Sequence, residues 1–352
     1  PGQADDWKGR RMRANTPPNW VPPFEAYEAK YDEDTKPLAV AYVGVQDRGG
    51  DAQISLQSAR ALLSIENGPD IIEQGWSSDV PGAHMHILMA YWRHAEAFAN
   101  WRASAELNAW LTAGSDPLIG RWIETSEIRP RALDTLIADT EVNWGVAKLA
   151  DEVVATPYHA YWGGTRDRIL LSETDALESE VGLADVLPRK MPAGVHEIID
   201  VVLPENAVFT RGGPDWSQCP PDEMQQIRNS VYPAYVAGGR YLRDNPEESG
   251  CYACYFIQET DEAGNDVQRN HQIGYFVELS KLEDWTKNHP THKAIFGRFM
   301  SMMTKLPRPP QMNLYHEVSP IAAGGLRATY VNCLPETGLL RYGQVRGEAD
   351  AS

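Results

Sequence analysis

The sequence is short of positive charge, of cysteine and of long apolar runs, and each shortage excludes a class of protein. In 352 residues, 32 lysines and arginines stand against 49 aspartates and glutamates, which gives a net charge of -17. Nucleic-acid binding needs clustered basic side chains that displace counterions from phosphates, so we expect no such partner. Four cysteines in this length are too few for a disulfide scaffold. No uninterrupted apolar run approaches the ~18 residues of a transmembrane helix, so we expect no membrane association.

Three sequence signals of other protein classes are also missing. Residues 1–20 are polar and basic and lack the apolar core of a secretory signal. No glycine-rich phosphate loop opens a helix after a strand, and the Gly-x-Ser-x-Gly motif of hydrolases does not occur. These absences predict an acidic, globular, cytoplasmic protein.

The remaining pattern predicts an arm followed by one domain in two halves. Residues 1–36 are rich in proline and charge and predict an extended N-terminal arm. Residues 37–352 form the domain, with halves at about 37–155 and 156–340, and residues 112–155 are expected to join the halves, partly as helix. We expect strands at residues 38–45, 86–92, 195–203, 207–210, 250–257, 272–277, 312–318 and 328–333. We expect helices at residues 51–65, 95–111, 222–242 and 290–303, and a further helix with Ser280 as its N-cap. Two β-α-β units, each ending in a helix, predict an α+β fold of duplicated ferredoxin-like halves whose sheets pack or close into a barrel.

Most of the nine histidines have ordinary structural explanations. His84, His94 and His271 lie in polar surroundings and are expected to be solvated, while His86, His159 and His196 lie in or beside strands and suit core positions. His292 differs because it occupies the first turn of a helix whose following face carries Phe296, Phe299 and Met303. An imidazole there either packs in the core or enters an apolar cavity, and an apolar cavity with one axial nitrogen ligand is what haem requires.

His316 lies in the segment Leu314–Val318, whose side chains alternate in the manner of a strand. A single histidine on an apolar strand face is usually structural. If this face borders a ligand pocket, an unperturbed pKa of about 6.5 suits His316 to proton donation near neutral pH.

Two further segments each allow two interpretations. Cys251 and Cys254 have the spacing of half a zinc site, but no second ligand pair accompanies them, and regular strand alternation would place the thiols on opposite faces. Buried structural thiols are therefore the better interpretation. The segment Trp162–Arg168 (WGGTRDR) predicts either a tight turn with a surface ion pair or a loop that directs a guanidinium at a polar ligand group.

Taken together, these segments resemble the bacterial aldoxime dehydratases, in order from about Ala39 to the C-terminus. The matching segments are Gly44–Gln46, Tyr91–Trp92, Trp101–Glu106, Tyr161–Gly163, Arg166–Arg168, Leu242–Asn245, Gly250–Tyr252, Trp285, His289–His292, Leu314–Val318, Asn332–Cys333 and Thr337–Gly338. So many ordered matches are more specific than any single motif.

The resemblance implies a homodimeric α+β barrel of two ferredoxin-like halves that binds haem b and converts an aldoxime, R-CH=N-OH, to a nitrile and water. It implies that His292 is the proximal ligand of the haem iron, that His316 is the distal acid and base, and that Arg168 is the distal arginine. In this scheme the substrate nitrogen binds ferrous iron, and His316 delivers a proton to the departing oxygen.

One position departs from the family pattern. The family carries a serine, whose hydroxyl holds the oxime OH, where this chain has Gly212 in the segment Thr210–Trp216 (TRGGPDW). Thr210 or a water could take over that hydrogen bond, or the pocket could admit a differently substituted N–O compound. Two alternatives to aldoxime dehydration therefore stay open: another haem-centred reaction at an N–O or N–N bond, and a haem sensor or carrier without turnover. The pair of His316 and Arg168 favours an enzyme, because a carrier needs no distal acid.

Overall fold

The computed structural model describes residues 15–32, 34–114, 116–140, 144–182 and 197–346, and within them it shows one 14-stranded sheet with helices packed on it. The strands are β1 (Tyr27–Lys30), β2 (Leu38–Asp47), β3 (Ile71–Ser77), β4 (His84–Trp92), β5 (Ile119–Ile128), β6 (Asp134–Ile137), β7 (Glu152–Ala155), β8 (Ile198–Val202), β9 (Val208–Asp215), β10 (Cys251–Thr260), β11 (Asp266–Phe276), β12 (Asn313–Pro320), β13 (Leu326–Val331) and β14 (Gln344–Val345). The helices are α1 (Ala52–Leu63), α2 (Ala95–Arg102), α3 (Ala105–Thr112), α4 (Pro221–Gln226), α5 (Tyr232–Asp244), α6 (Pro246–Ser249), α7 (Leu279–Asn288) and α8 (Pro290–Lys305). The expected α+β class is confirmed.

Two parts of the chain repeat the order β-α-β-β-α-β. In the first part, strands β2 to β5 lie in the sheet in the order β5-β2-β4-β3, and in the second part strands β9 to β12 lie in the order β12-β9-β11-β10. If the four strands of each part are numbered in chain order, both parts place them in the same spatial order, with the fourth strand next to the first. The two parts join where β3 pairs with β10, and β5 also pairs with β13 near the C-terminus.

Strand β2 is buried on both faces of the sheet. Leu38, Val40 and Tyr42 belong to the large apolar cluster on one face, and Ala39 and Ala41 belong to the cluster formed with helices α1 to α3 on the other. Successive side chains of a strand point to opposite faces, so a strand covered on both sides needs a continuous apolar run. In the second part of the chain, helices α5, α7 and α8 cover the same sheet through β9 to β12, and the space between these two layers holds the site described below.

Local sequence signals place several helix ends. The side chain of Asp51 accepts from the backbone N–H of Gln53 and caps α1, and the side chain of Ser104 accepts from that of Leu107 and caps α3. Helix α8 begins at Pro290, whose fixed φ and missing N–H suit a first turn. The expected N-cap at Ser280 is wrong, because α7 already begins at Leu279.

The described part of residues 112–155 is mainly strand, with helical structure only in part. It contains β5, β6 and β7 and, among the described residues that follow α3, the two short 3-10 turns Pro130–Ala132 and Gly145–Leu149. Strand β5 was hard to detect because it buries polar side chains such as Arg121 and Glu124, which break the apolar pattern of a covered strand. The predicted arm also contributes to the sheet, since β1 pairs with β6 and β7.

Two smaller expectations are wrong as well. A bulge in β10 between Cys251 and Ala253 shifts the alternation, so Cys251 and Cys254 share one apolar cluster as buried free thiols instead of facing opposite ways. His271 is buried, with its Nδ1 2.7 Å from Glu259, and is not solvated. His196 lies outside the described residues. In the described part of the chain, we find no helix with the length and apolar character needed to span a membrane.

Candidate active site

An apolar cavity lies between helices α5, α7 and α8 and the face of the sheet formed by β9 to β12. It encloses about 1280 Å³ of empty space, including the part that is open to solvent. The residues that line the sheet side of its wall include Thr210, Gly212, Pro214, Leu314, His316, Val318, Gln272, Gly274 and Phe276. His292, Phe296 and Phe299 of α8 line the opposite wall. The structure therefore brings His292, His316 and Gly212, which are far apart in sequence, to one cavity.

His292 reaches the cavity from the first turn of α8. Burial lowers its pKa to about 4, and the hydrogen bond between its ring and the backbone carbonyl of Thr286 raises the pKa only in part. The ring also contacts the indole rings of Trp285 and Trp162, at centroid distances of 4.8 and 5.8 Å. A neutral imidazole that donates one N–H to a carbonyl has its other nitrogen free for a metal, which is the usual arrangement of a metal-binding histidine.

His289, three residues earlier, is engaged in structure. Its Nδ1 lies 2.8 Å from the hydroxyl of Thr291, and its ring stacks on that of Tyr241 at 3.8 Å. This histidine caps α8 and does not line the cavity, so His292 is the histidine of this segment that is available for a ligand.

His316 lies on β12 directly opposite Gly212 of β9. Its Nε2 is 3.1 Å from Oδ2 of Asp134, while its Nδ1 is buried and has no hydrogen-bond partner among the described residues. Burial lowers the pKa of His316, Asp134 raises it, and Arg168 lowers it. Because the carboxylate accepts from Nε2, the unpartnered Nδ1 is the nitrogen that remains for a ligand.

Arg168 does not point into the cavity but binds Asp134. Its Nε lies 3.0 Å from Oδ1 and its Nη2 2.8 Å from Oδ2 of that carboxylate, and its Nη1 donates to the carbonyl oxygens of Tyr161 and Gly164. Burial alone would raise the pKa of Asp134, but Arg168 and His316 hold it well below its usual range. Arg168, Asp134 and His316 thus form one buried chain of charge-assisted hydrogen bonds, in which Arg168 acts on His316 through Asp134.

The turn Trp162–Arg168 is buried, and the N-terminal segment holds it. Oδ2 of Asp167 accepts from both the backbone N–H and the hydroxyl of Thr16 at 2.8 Å, and its Oδ1 accepts from the side chain of Asn15 at 2.8 Å. The segment forms a tight turn whose Arg166 pairs with Glu283, with Nε 3.4 Å from Oε2, whereas the guanidinium of Arg168 binds buried Asp134 and does not line the cavity.

The sequence does not predict two features of this site: the role of Asp134, and the hydrogen bonds from Asn15 and Thr16 to Asp167. Asp134 opens the short strand β6, whose remaining residues carry no motif. A buried arginine requires a carboxylate partner, but with 49 acidic residues in the chain this rule does not identify which one. The pairing of β6 with β12 identifies the carboxylate. It sets Leu136 opposite His316 and Asp134 opposite Val318, so Asp134 lies two residues along the paired strand from the position opposite His316.

Strand alternation sends the neighbours of these residues to the opposite face. There Nη2 of Arg211 lies 2.9 Å from carboxylate oxygens of both Glu73 and Glu259. Glu317 is buried beside them, and burial raises its pKa to about 7. This ionic network lies on the face of the sheet opposite the cavity, so the cavity face itself carries few charges.

Comparison with known proteins gives a consistent result. The sequence model of the haem-containing dehydratases matches residues 41–339. The chain is 33% identical to an aliphatic aldoxime dehydratase of Pseudomonas sp., covering 96% of both chains, and 30% identical to a phenylacetaldoxime dehydratase of Bacillus sp. (strain OxB-1), covering 94% of this chain and 95% of that one. The crystal structure of an aldoxime dehydratase in complex with butyraldoxime superposes with a TM-score of 0.83 at 28% identity, over 94% of this chain and 93% of the other.

Proposed function

The chain belongs to the haem-containing dehydratase family, and we propose that it is a lyase that dehydrates an aldoxime, R-CH=N-OH, to a nitrile and water. The observation that carries the proposal is the pair of buried imidazoles, His292 and His316, which line one apolar cavity from opposite walls. The names of the relatives support the substrate class, since each acts on an aldoxime.

The cofactor of this family is haem, and the cavity fits it. We propose that haem b occupies the space between α8 and the sheet, with His292 as its proximal ligand. The fit rests on the neutral state of His292, its hydrogen bond to the carbonyl of Thr286, and the apolar walls. The chemistry that haem supplies when bound, in the ferrous state, is coordination of the oxime nitrogen and electron density for breaking the N–O bond.

His316 supplies the proton chemistry in this proposal. Hydroxide is a poor leaving group, so the departing oxygen must be protonated, and His316 lines the cavity with its Nδ1 unpartnered among the described residues. Once neutral, the same imidazole accepts the proton of the oxime carbon. Asp134 holds the ring by its Nε2 and favours the protonated form, and Arg168 fixes Asp134. Arg168 and Asp134 are positioning residues, because neither lines the cavity.

The proposed assembly is a homodimer of chains with two ferredoxin-like halves. The identical strand order of the two β-α-β-β-α-β parts supports the halves, at about 37–155 and 156–340, after an N-terminal arm of residues 1–36. The dimer follows the family expectation, and the molecular mass in solution tests it.

A second candidate is a relative that acts on another N–O or N–N compound at the same haem. Gly212 favours it, because position 212 faces the cavity beside His316 and carries no hydroxyl there. Thr210, the nearest hydroxyl on this strand, instead donates to the carbonyl oxygen of Gly274 at 3.2 Å.

The test is to load the purified protein with haem, reduce it without oxygen, add alkyl and aryl aldoximes and measure nitrile. We expect nitrile to form with one equivalent of haem per chain. Intact haem binding without any nitrile would contradict aldoxime dehydration and favour the second candidate.

A further inference from the structure

Gly212 leaves an open space in the cavity wall beside His316. A Cβ placed on Gly212 would lie 3.5 Å from the Cβ of His316 and 3.7 Å from the carbonyl oxygen of Tyr315, and apart from its chain neighbours it would meet no other described atom within 4 Å. Both distances are ordinary van der Waals contacts, and the φ of Gly212 lies outside the left-handed region. The backbone therefore accepts a side chain at this position.

At the next position, Gly213, the structure leaves no room for a side chain. A Cβ on Gly213 would collide with the carbonyl oxygen of Asn270 and with the backbone of His271 on the paired strand. Gly213 thus permits close approach of two strands, whereas the missing side chain of Gly212 only enlarges the cavity.

Two hydroxyl groups near Gly212 are already bound to backbone carbonyl oxygens. The hydroxyl of Thr210 is bound to the carbonyl oxygen of Gly274, and the hydroxyl of Tyr235 donates to the carbonyl oxygen of Gly212 itself at 2.9 Å. Both groups are held by backbone acceptors, so the space is free for part of a substrate.

We propose that Gly212 is a specificity-determining residue that admits aldoximes with a small substituent on the oxime oxygen, R-CH=N-OR′, in addition to free aldoximes. This inference rests on the proposed function, since it takes the departing oxygen to be the atom that His316 protonates. An oxygen within hydrogen-bond distance of His316 is within reach of position 212, because a Cβ at position 212 would lie only 3.5 Å from the Cβ of His316 on the paired strand. A methyl group on that oxygen occupies the volume that a side chain at 212 would otherwise take.

The reaction balances without any co-reactant. For an O-methyl aldoxime, the N–O bond breaks and the oxygen leaves with the proton of His316 as methanol. The proton of the oxime carbon passes to the neutral imidazole, and the C–H bonding pair completes the nitrile. Methanol and water are acids of similar strength, so a difference in rate between ether and free aldoxime reports mainly on the space around the oxygen.

The experiment compares butyraldoxime with its O-methyl ether in the reduced, haem-loaded protein. Nitrile and methanol give kcat/KM for each compound, and calorimetric titration gives the dissociation constant of the ether as a readout separate from turnover. The variant is Gly212→Ala, which adds one methyl group to the wall. The matched control is Gly297→Ala, at an exposed position of α8 where a Cβ meets nothing within 4 Å.

We expect the wild type to convert both compounds. Gly212→Ala should lower the ratio of ether to free-aldoxime kcat/KM by about 10-fold or more, as expected for one methyl group in a fitted pocket, and should weaken ether binding. Gly297→Ala should change neither quantity.

Three results would overturn the inference. A wild-type protein that converts butyraldoxime but neither binds nor converts the ether refutes the role of Gly212 and leaves the proposed function intact. An unchanged ratio in Gly212→Ala refutes it as well. If the haem-loaded protein converts neither compound, the proposed function fails and the inference fails with it.

Discussion

Replacing Asp134 with asparagine removes the charge that joins Arg168 to His316 but keeps the size of the side chain. In the wild type, this carboxylate accepts hydrogen bonds from Arg168 at 2.8 to 3.1 Å and lies 3.1 Å from Nε2 of His316. The side chain of Arg168 is only 7% exposed and that of Asp134 only 2%. Loss of one partner therefore leaves a buried, uncompensated guanidinium.

The expected effect on stability is large. Breaking a buried ion pair by removing one partner costs about 3–5 kcal/mol, so the free energy of unfolding of Asp134→Asn should fall by about that amount. Urea unfolding of the haem-free protein measures it. Asp200→Asn is the control, because it breaks an ion pair with Arg346 whose side chains are 37% and 40% exposed, and such pairs contribute about 0–1 kcal/mol.

The expected effect on activity has a definite sign. Burial lowers the pKa of His316 and Asp134 raises it, so Asp134→Asn should lower that pKa further. The protonated imidazole is then lost at a lower pH, and the decline of nitrile formation with rising pH should begin at a lower pH. At neutral pH the rate should fall by as much as the contribution of a positioned acid, about 10²–10⁴-fold.

The assay is the pH dependence of nitrile formation by haem-loaded protein, with the Soret band as a check on haem content. If Asp134→Asn retains both wild-type stability and an unshifted pH profile, the buried chain from Arg168 to His316 does not act as described. If stability falls while the pH profile stays in place, Asp134 is a structural residue only.

Three further predictions test individual histidines. His292→Ala should abolish stoichiometric haem binding and its Soret band, and full haem occupancy in this variant would place the proximal ligand elsewhere. His316→Ala should keep haem but lose about 10²–10⁴-fold in nitrile formation, and an active variant would exclude the acid role. Burial lowers the pKa of His271 to about 4 from 6.5, so the unfolded chain binds the proton more readily and stability should fall as the pH drops from 6.5 to 4, by up to about 1.4 kcal/mol per unit. His271→Gln should reduce the pH slope of the urea-unfolding free energy across that range by this one group's contribution, and an unchanged slope would show that His271 is not buried in its neutral form.

Local periodicity explains why much of the fold was predictable. Strand β2 and helix α1 are predictable because apolar residues repeat with the spacing of the element that they form, and Pro290 marks the start of α8. Strand β5 is not predictable from its own pattern, because it buries polar residues such as Glu124, which accepts hydrogen bonds from tyrosines on remote strands, and no local pattern encodes such contacts. The bulge in β10 was missed for a similar reason, since it depends on the pairing with β11.

The sequence by itself determined the family resemblance, the α+β class, the position of His292 in a first helical turn, the strand placement of His316 and the absence of a serine at position 212. Only the tertiary structure decided that Asp134 lies between Arg168 and His316, 182 residues before the histidine that it holds. It also decided that Gly212 stands opposite His316, with open space in front of it. The physical reason is that strand register is fixed by burial and pairing between remote segments, and a one-residue change in register would send every side chain to the other face of the sheet.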